Sequence, residues 1–119
     1  MQVRPKTIIC DIDGTIAVHT KPDKAANPKT KIKLLPGTLE KFLEWDGKGY
    51  NIILITGRKE SLRNSTEKQL MEAGIFYDKL IMGVGGGQRV LINDMKEDGS
   101  ETATAISLPR NKGIGDLNL

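Results

Sequence analysis

Two carboxylates stand two residues apart in the run Asp11-Ile12-Asp13-Gly14-Thr15, directly after the apolar, β-branched stretch Thr7 to Cys10. In a continuing strand their side chains would alternate between faces, but the turn-prone Asp13-Gly14 bends the chain, and carboxylates at a strand end can then converge. Converging carboxylates repel unless a cation joins them. A hard cation with oxygen ligands fits that position, magnesium above all, because it takes one or two carboxylates together with phosphate oxygens and water. The plain structural alternative is an Asp-Gly turn in which Asp13 caps backbone amides.

Two further places put polar residues after apolar runs. Thr56-Gly57-Arg58 follows Tyr50 to Ile55, and Asn93-Asp94 follows Arg89 to Ile92. Arg58 is placed to bind a second anionic or hydroxyl-rich part of a substrate. Asn-Asp by itself is a common turn.

The elements that must carry these residues can be read from periodicity. Thr7 to Ile12 and Tyr50 to Thr56 are predicted as buried strands. Leu39, Phe42 and Leu43 recur at helical spacing in Thr38 to Asp46, before the stop signals Gly47 and Gly49. A second helix is predicted over Glu60 to Ala73, with Leu62, Thr66, Leu70 and Ala73 on one face, Ser61 near its start and Gly74 just past its end. Lys79 to Met82, Arg89 to Ile92 and Thr102 to Ser107 are compatible with three more short strands. Residues 17–36, rich in Pro and Lys, read as an irregular flap, and the tail from Pro109 as a surface segment. Strands alternating with helices predict an α/β domain with a mostly parallel sheet flanked by helices, which binds ligands at the carboxyl ends of its strands.

Composition agrees with one compact domain. The chain has 119 residues, 38% of them hydrophobic, which suits a single core. Eighteen basic against 15 acidic residues leave a net charge of only +3, with the signs interleaved, and aromatics make up 4%. That balance argues against nucleic acid as a partner. The lone Cys10 lies in an apolar run, and no stretch has the length of a membrane span or signal peptide, so a soluble cytoplasmic protein without a membrane partner is expected. Trp45 and Tyr50 read as packing residues, and His19 as a flap residue.

The run DIDGT after an apolar strand resembles the nucleophile motif of phosphatases of the haloacid dehalogenase (HAD) superfamily, and ILITGR and VLIND follow it in the family's order. The resemblance covers roughly Thr7 to Leu108 and implies a single Rossmann-like domain, residues 1–119, without a cap. It implies that Asp11 is the nucleophile and Asp13 the general acid/base. Thr56 would hydrogen-bond the transferring phosphoryl group, Gly57 would let the backbone approach, and the helix starting near Lys59 would aim its amides at the anion. Asp11, Asp13 and Asp94 would hold magnesium, with Asn93 as a further oxygen ligand or as the residue that orients Asp94. The family's third motif, a Lys or Arg often in a Lys-Pro context, has no such match here. Lys79, Arg89 or Lys96 must supply that charge, with Lys79 favoured as catalytic and Arg89 as substrate-binding.

Gly83, Gly85, Gly86 and Gly87 do not match a dinucleotide-binding pattern, because Gln88 stands where the last glycine belongs and a strand-like run follows. A loop bordering the site is the plainer reading. The expected activity is magnesium-dependent phosphomonoester hydrolysis through an aspartyl-phosphate, on a small phosphorylated substrate such as a sugar phosphate. In similar capless enzymes, selection rests with the flap, a neighbouring subunit of a homo-oligomer or the bulk of the substrate. The rival expectation is a non-catalytic phosphate- or metal-binding module that partners a sugar-metabolising enzyme.

Overall fold

The computed structural model describes residues 4–119. Three strands, β1 (Thr7–Asp11), β2 (Asn51–Ile55) and β3 (Lys79–Ile81), form one parallel sheet in the order β1-β2-β3. The first crossover carries α1 (Pro22–Ala25) and α2 (Thr38–Gly47), and the second carries a 3-10 turn (Glu60–Leu62) running into α3 (Arg63–Glu72). Parallel neighbours need such crossovers, and helices on the faces bury the strands. Asp11 pairs in register with Ile55, and Ile55 with Ile81, so the three chains leave the sheet at one level of one edge.

The core joins Ile52 and Leu54 of β2 to Ile12, Ile16, Phe42, Trp45 and Leu70, all nearly or completely buried. Each such aliphatic side chain contributes about 2 kcal/mol through burial. Helix α2 buries Thr38, Phe42 and Trp45, while Leu43 points outward. The inward face is thus set by the three- and four-residue steps 38-42-45 rather than by every apolar residue in the window. Thr38 Oγ donates to the carbonyls of Ile16 and Leu35, both at 2.9 Å, which ties the start of α2 to the chain that follows the Asp11–Thr15 loop. Gly37, at φ +86°, is required there, because a Cβ would lie 2.6 Å from Gly115 Cα.

Two of the expected strands are not formed. Arg89 to Ile92 carries no sheet pairing, and Val90 and Ile92 are 74% and 90% exposed. The short apolar run has strand-like composition, but among the described residues no strand pairs with it and its side chains stay exposed. Thr102 to Ser107 is likewise irregular, apart from an isolated antiparallel bridge between Met95 and Glu101 just before it. The tail also differs from expectation. Ile114 is fully buried in the core, and Leu117 and Leu119 pack against it, so apolar burial folds the segment from Pro109 back onto the domain. Within residues 17–36, Ala17 bridges Leu34, and Pro22–Ala25 makes one helical turn. Among the described residues, no helix is long and apolar enough to cross a membrane.

Candidate active site

At the end of β1 the chain makes a tight loop. The Ile12 carbonyl accepts from the amides of Thr15, Ile16 and Ala17 at 3.0 to 3.2 Å, and the Gly14 amide donates to the Ala17 carbonyl at 2.7 Å. Gly14 takes φ +87°, a conformation costly for residues with a Cβ. This turn brings Asp11 and Asp13 to the carboxyl edge of the sheet. Thr15 Oγ donates to Asp11 Oδ2 at 3.4 Å.

Each carboxylate has its own arginine. Arg89 Nη1 lies 3.0 Å from Asp11 Oδ1, in a pair that remains about one third exposed on both sides. Arg58 grips Asp13 with two hydrogen bonds, Nε to Oδ2 at 2.9 Å and Nη2 to Oδ1 at 2.8 Å. Its remaining nitrogen, Nη1, donates to Thr66 Oγ at 3.1 Å and Gln69 Oε1 at 2.7 Å on α3. Arg58 is buried, and all three guanidinium nitrogens are engaged by the protein. It was expected to meet substrate; in the structure its guanidinium is paired with Asp13 and α3. Thr66 and Gln69, the polar residues on the inward face of α3, were missed as members of the site. Their signal was present in the sequence, since polar residues on a buried helix face need partners.

Thr56 is buried at the end of β2. Its Oγ accepts from the Arg58 amide at 3.1 Å, which leaves the hydroxyl proton free to be donated. Its backbone joins the chain after β3, through Thr56 N–H to Ile81 O at 3.0 Å and Val84 N–H to Thr56 O at 2.9 Å. Gly57 fits the same junction closely, because a Cβ would lie 3.2 Å from the Val84 carbonyl. The first residues of the glycine-rich loop are therefore built into the site's wall, with Gly83 N–H bonded to Arg58 O at 2.7 Å. The chain after Lys59 opens as a 3-10 turn, and the α-helix begins only at Arg63.

Lys79 begins β3, in register with Ile53, at the end of the strand away from the carboxyl edge, and is exposed. The favoured basic residue is thus displaced from Asp11 and Asp13 by strand direction, and Arg89 is the one that reaches Asp11. Asn93 and Asp94 are exposed on the segment beyond Arg89, where Asn93 Nδ2 donates to Thr102 Oγ and Thr102 Oγ donates to the Asp94 carbonyl. They are not brought together with Asp11 and Asp13. Among the described residues, no three His, Cys, Asp or Glu side chains are grouped to hold a metal ion.

The oxygens that the loop itself offers are the Asp11 carboxylate and the Asp13 carbonyl, which accepts no backbone hydrogen bond among the described residues. That set suits magnesium, which keeps several waters and takes phosphate oxygens from its substrate rather than needing an all-protein cage.

Comparison with known proteins supports the family reading. The family model for the HAD superfamily, subfamily IIIB (acid phosphatase), matches residues 18–104, a span that includes Thr56, Arg58 and Arg89 and begins just after the Asp11–Thr15 loop. No curated protein matches the chain. A chain of the Pnkp1/Rnl/Hen1 complex is similar over 72% of this chain at 28% identity, with a TM-score of 0.57, and 30% of that chain is covered. A structure of the same assembly, described as an RNA repair complex, is covered to 28%. The chain thus spans less than a third of the length of those relatives. A target protein from Vibrio cholerae shares the fold over 96% of this chain and 90% of its own, with 18% identity and a TM-score of 0.57. The α/β sheet, the two carboxylates at its carboxyl edge and the family match over most of its length show that the chain belongs to the HAD superfamily of phosphatases, subfamily IIIB.

Proposed function

We propose that the protein is a magnesium-dependent phosphomonoester hydrolase that works through an aspartyl-phosphate on Asp11. The observation that carries this reading is the Arg89 guanidinium set 3.0 Å from Asp11 beside a second carboxylate, Asp13, at the carboxyl edge of a parallel sheet. A nucleophilic carboxylate must approach an anionic phosphoryl group, and a cation at that point offsets the repulsion. Arg89 takes the part that Lys79 was expected to play.

In this mechanism Asp11 attacks phosphorus in line, and the leaving oxygen departs with a proton from Asp13. Thr56 donates its free hydroxyl proton to the phosphoryl oxygens, and Arg89 spreads the developing charge. Water activated by Asp13 then hydrolyses the acyl phosphate. In the resting arrangement both Asp13 oxygens accept from Arg58. Proton transfer therefore requires one of them to be released while the other stays anchored. The Asp11 carboxylate and Asp13 carbonyl would hold magnesium, whose chemistry is to neutralise phosphoryl charge. Asp94, with Asn93 beside it, is proposed as a further ligand on the order of the sequence motifs alone, since the structure does not group it with Asp11 and Asp13.

A small phosphorylated substrate, a sugar phosphate first, is the proposed class, and a cytoplasmic location fits it. The similarity to a chain of an RNA repair complex puts an RNA with a terminal phosphate beside it as the rival. The test is phosphate release from sugar phosphates, nucleotides, an aryl phosphate and a phosphate-ended RNA, with magnesium or EDTA, by the wild type and Asp11→Asn. Magnesium-dependent release that is lost in the variant supports the reading and ranks the substrates. No release from any compound would favour a phosphate- or metal-binding module instead.

A further inference from the structure

The arginines at Asp11 and Asp13 are each matched to a carboxylate, but a third arginine at the nucleophile loop is not. Arg110 comes from the far end of the chain and lays its stem across Gly14. A Cβ on Gly14 would meet Arg110 Cγ at 3.2 Å and its Cδ and Nε at 3.8 Å, so the arginine stem lies in close contact with the glycine. Among the described residues Arg110 makes no ion pair or side-chain hydrogen bond, and it is exposed.

The segment that carries Arg110 is fastened on both sides. The Asn111 amide donates to the Gly14 carbonyl at 2.8 Å, and Asn111 Oδ1 accepts from the His19 amide at 3.0 Å. Asn111 takes φ +64°, alone among the described non-glycine residues in the left-handed region, where asparagine is tolerated better than most. Lys112 N–H closes a turn on Pro109 O at 3.1 Å, and Gly113 and Ile114 are buried beyond it. The loop, held by Asn111 and by the burial of Ile114, brings to Gly14 one guanidinium that has no partner among the described residues.

We propose that Arg110 is a specificity-determining residue that binds a second anionic group of the substrate, so that the substrate is a phosphomonoester whose leaving part carries a further phosphate or carboxylate. This deepens the phosphatase reading and rests on it. The transferring phosphoryl group belongs beside Asp11, where Arg89 stands. Arg110 lies on the Gly14 side and pairs with neither carboxylate, so its charge serves a group farther along the substrate. A guanidinium recognises phosphate and carboxylate through the same paired N–H geometry.

The experiment measures binding by calorimetry in the Asp11→Asn chain, with magnesium, of fructose 1,6-bisphosphate, 3-phosphoglycerate and fructose 6-phosphate. Arg110→Met retains most of the stem over Gly14 and removes the charge, and Lys112→Met is the control for charge alone. The expected result is at least tenfold tighter binding of one of the two doubly anionic compounds than of fructose 6-phosphate, a preference that Arg110→Met reduces to under threefold and Lys112→Met retains. Whichever of the two is preferred identifies the second group as phosphate or carboxylate. Equal affinity for all three compounds, or a preference that survives Arg110→Met, would overturn the proposal. Because turnover is not read, a chain that binds this way yet releases no phosphate would refute the hydrolase reading alone. Release without the preference would refute the role of Arg110 alone.

Discussion

Arg58 and Asp13, on loops that follow different strands, are locked together by two parallel hydrogen bonds of 2.9 and 2.8 Å, with the arginine side chain 6% and the aspartate 14% exposed. The third guanidinium nitrogen reaches α3, so one side chain ties the loop after β1 to the helix that follows β2. The rotamer of Asp13 is held by geometry that a single rotation of its own side chain would break.

Removing that arginine leaves Asp13, Thr66 and Gln69 without their partner in a largely buried place. Arg58→Ala is expected to cost about 3 kcal/mol of stability, in the range for breaking a buried pair on one side. Arg58→Lys cannot reproduce the fork and should recover less than half of the loss. Urea unfolding of the three proteins measures this. A loss below about 1 kcal/mol would show that the network carries little.

Arg89 and Lys79 are separated by the same logic in activity. Arg89→Ala is expected to lower kcat/KM for an aryl phosphate by about 100-fold, the scale of losing one charge-stabilising donor at a reacting centre. Lys79→Ala, at the opposite end of β3, should change it by less than about twofold. Steady-state kinetics of the two variants decides between them, and the reverse order would restore Lys79 as the cation of the site.

For Asp94 the measurement is the magnesium requirement. If the sequence order of motifs is the guide to ligation, Asp94→Asn raises the magnesium concentration for half-maximal phosphate release by about tenfold or more, as loss of a carboxylate ligand from a site with few protein oxygens would. An unchanged requirement would leave the remaining positions to water and substrate. Asn93→Ala in parallel shows whether the neighbouring amide contributes.

Cys10 is 7% exposed, and burial, with Asp11 adding to it, pushes its thiol from 9.0 up to about 12. The folded state thus holds the proton more tightly than the unfolded state. Its contribution to stability is complete below about pH 9 and is lost as the pH rises towards 12. Because the thiolate is the reactive form, Cys10 should resist iodoacetamide at pH 8 in the native protein and react readily in urea. Mass spectrometry of the treated samples checks this, and rapid native labelling would contradict the burial.

Much of the frame was determined by local sequence. Apolar, β-branched runs ended by Asp13-Gly14 and Thr56-Gly57 define strands that deliver Asp11 and Thr56 to one edge. The helix windows over Thr38 to Asp46 and Glu60 to Ala73 carry the crossovers that make the sheet parallel. Such features follow from burial and turn chemistry within a few residues, and periodicity reports them directly. What only the tertiary structure decided were pairings over long separations in the chain. Arg58 pairs with Asp13 and α3, Arg89 rather than Lys79 meets Asp11, Arg89 to Ile92 has the composition of a strand but pairs with none among the described residues, and Pro109 to Ile114 returns to Gly14 and the core. A residue's type declares that it needs a partner, but which partner it obtains depends on the path of the loops between them, and that path is set by packing across the whole domain.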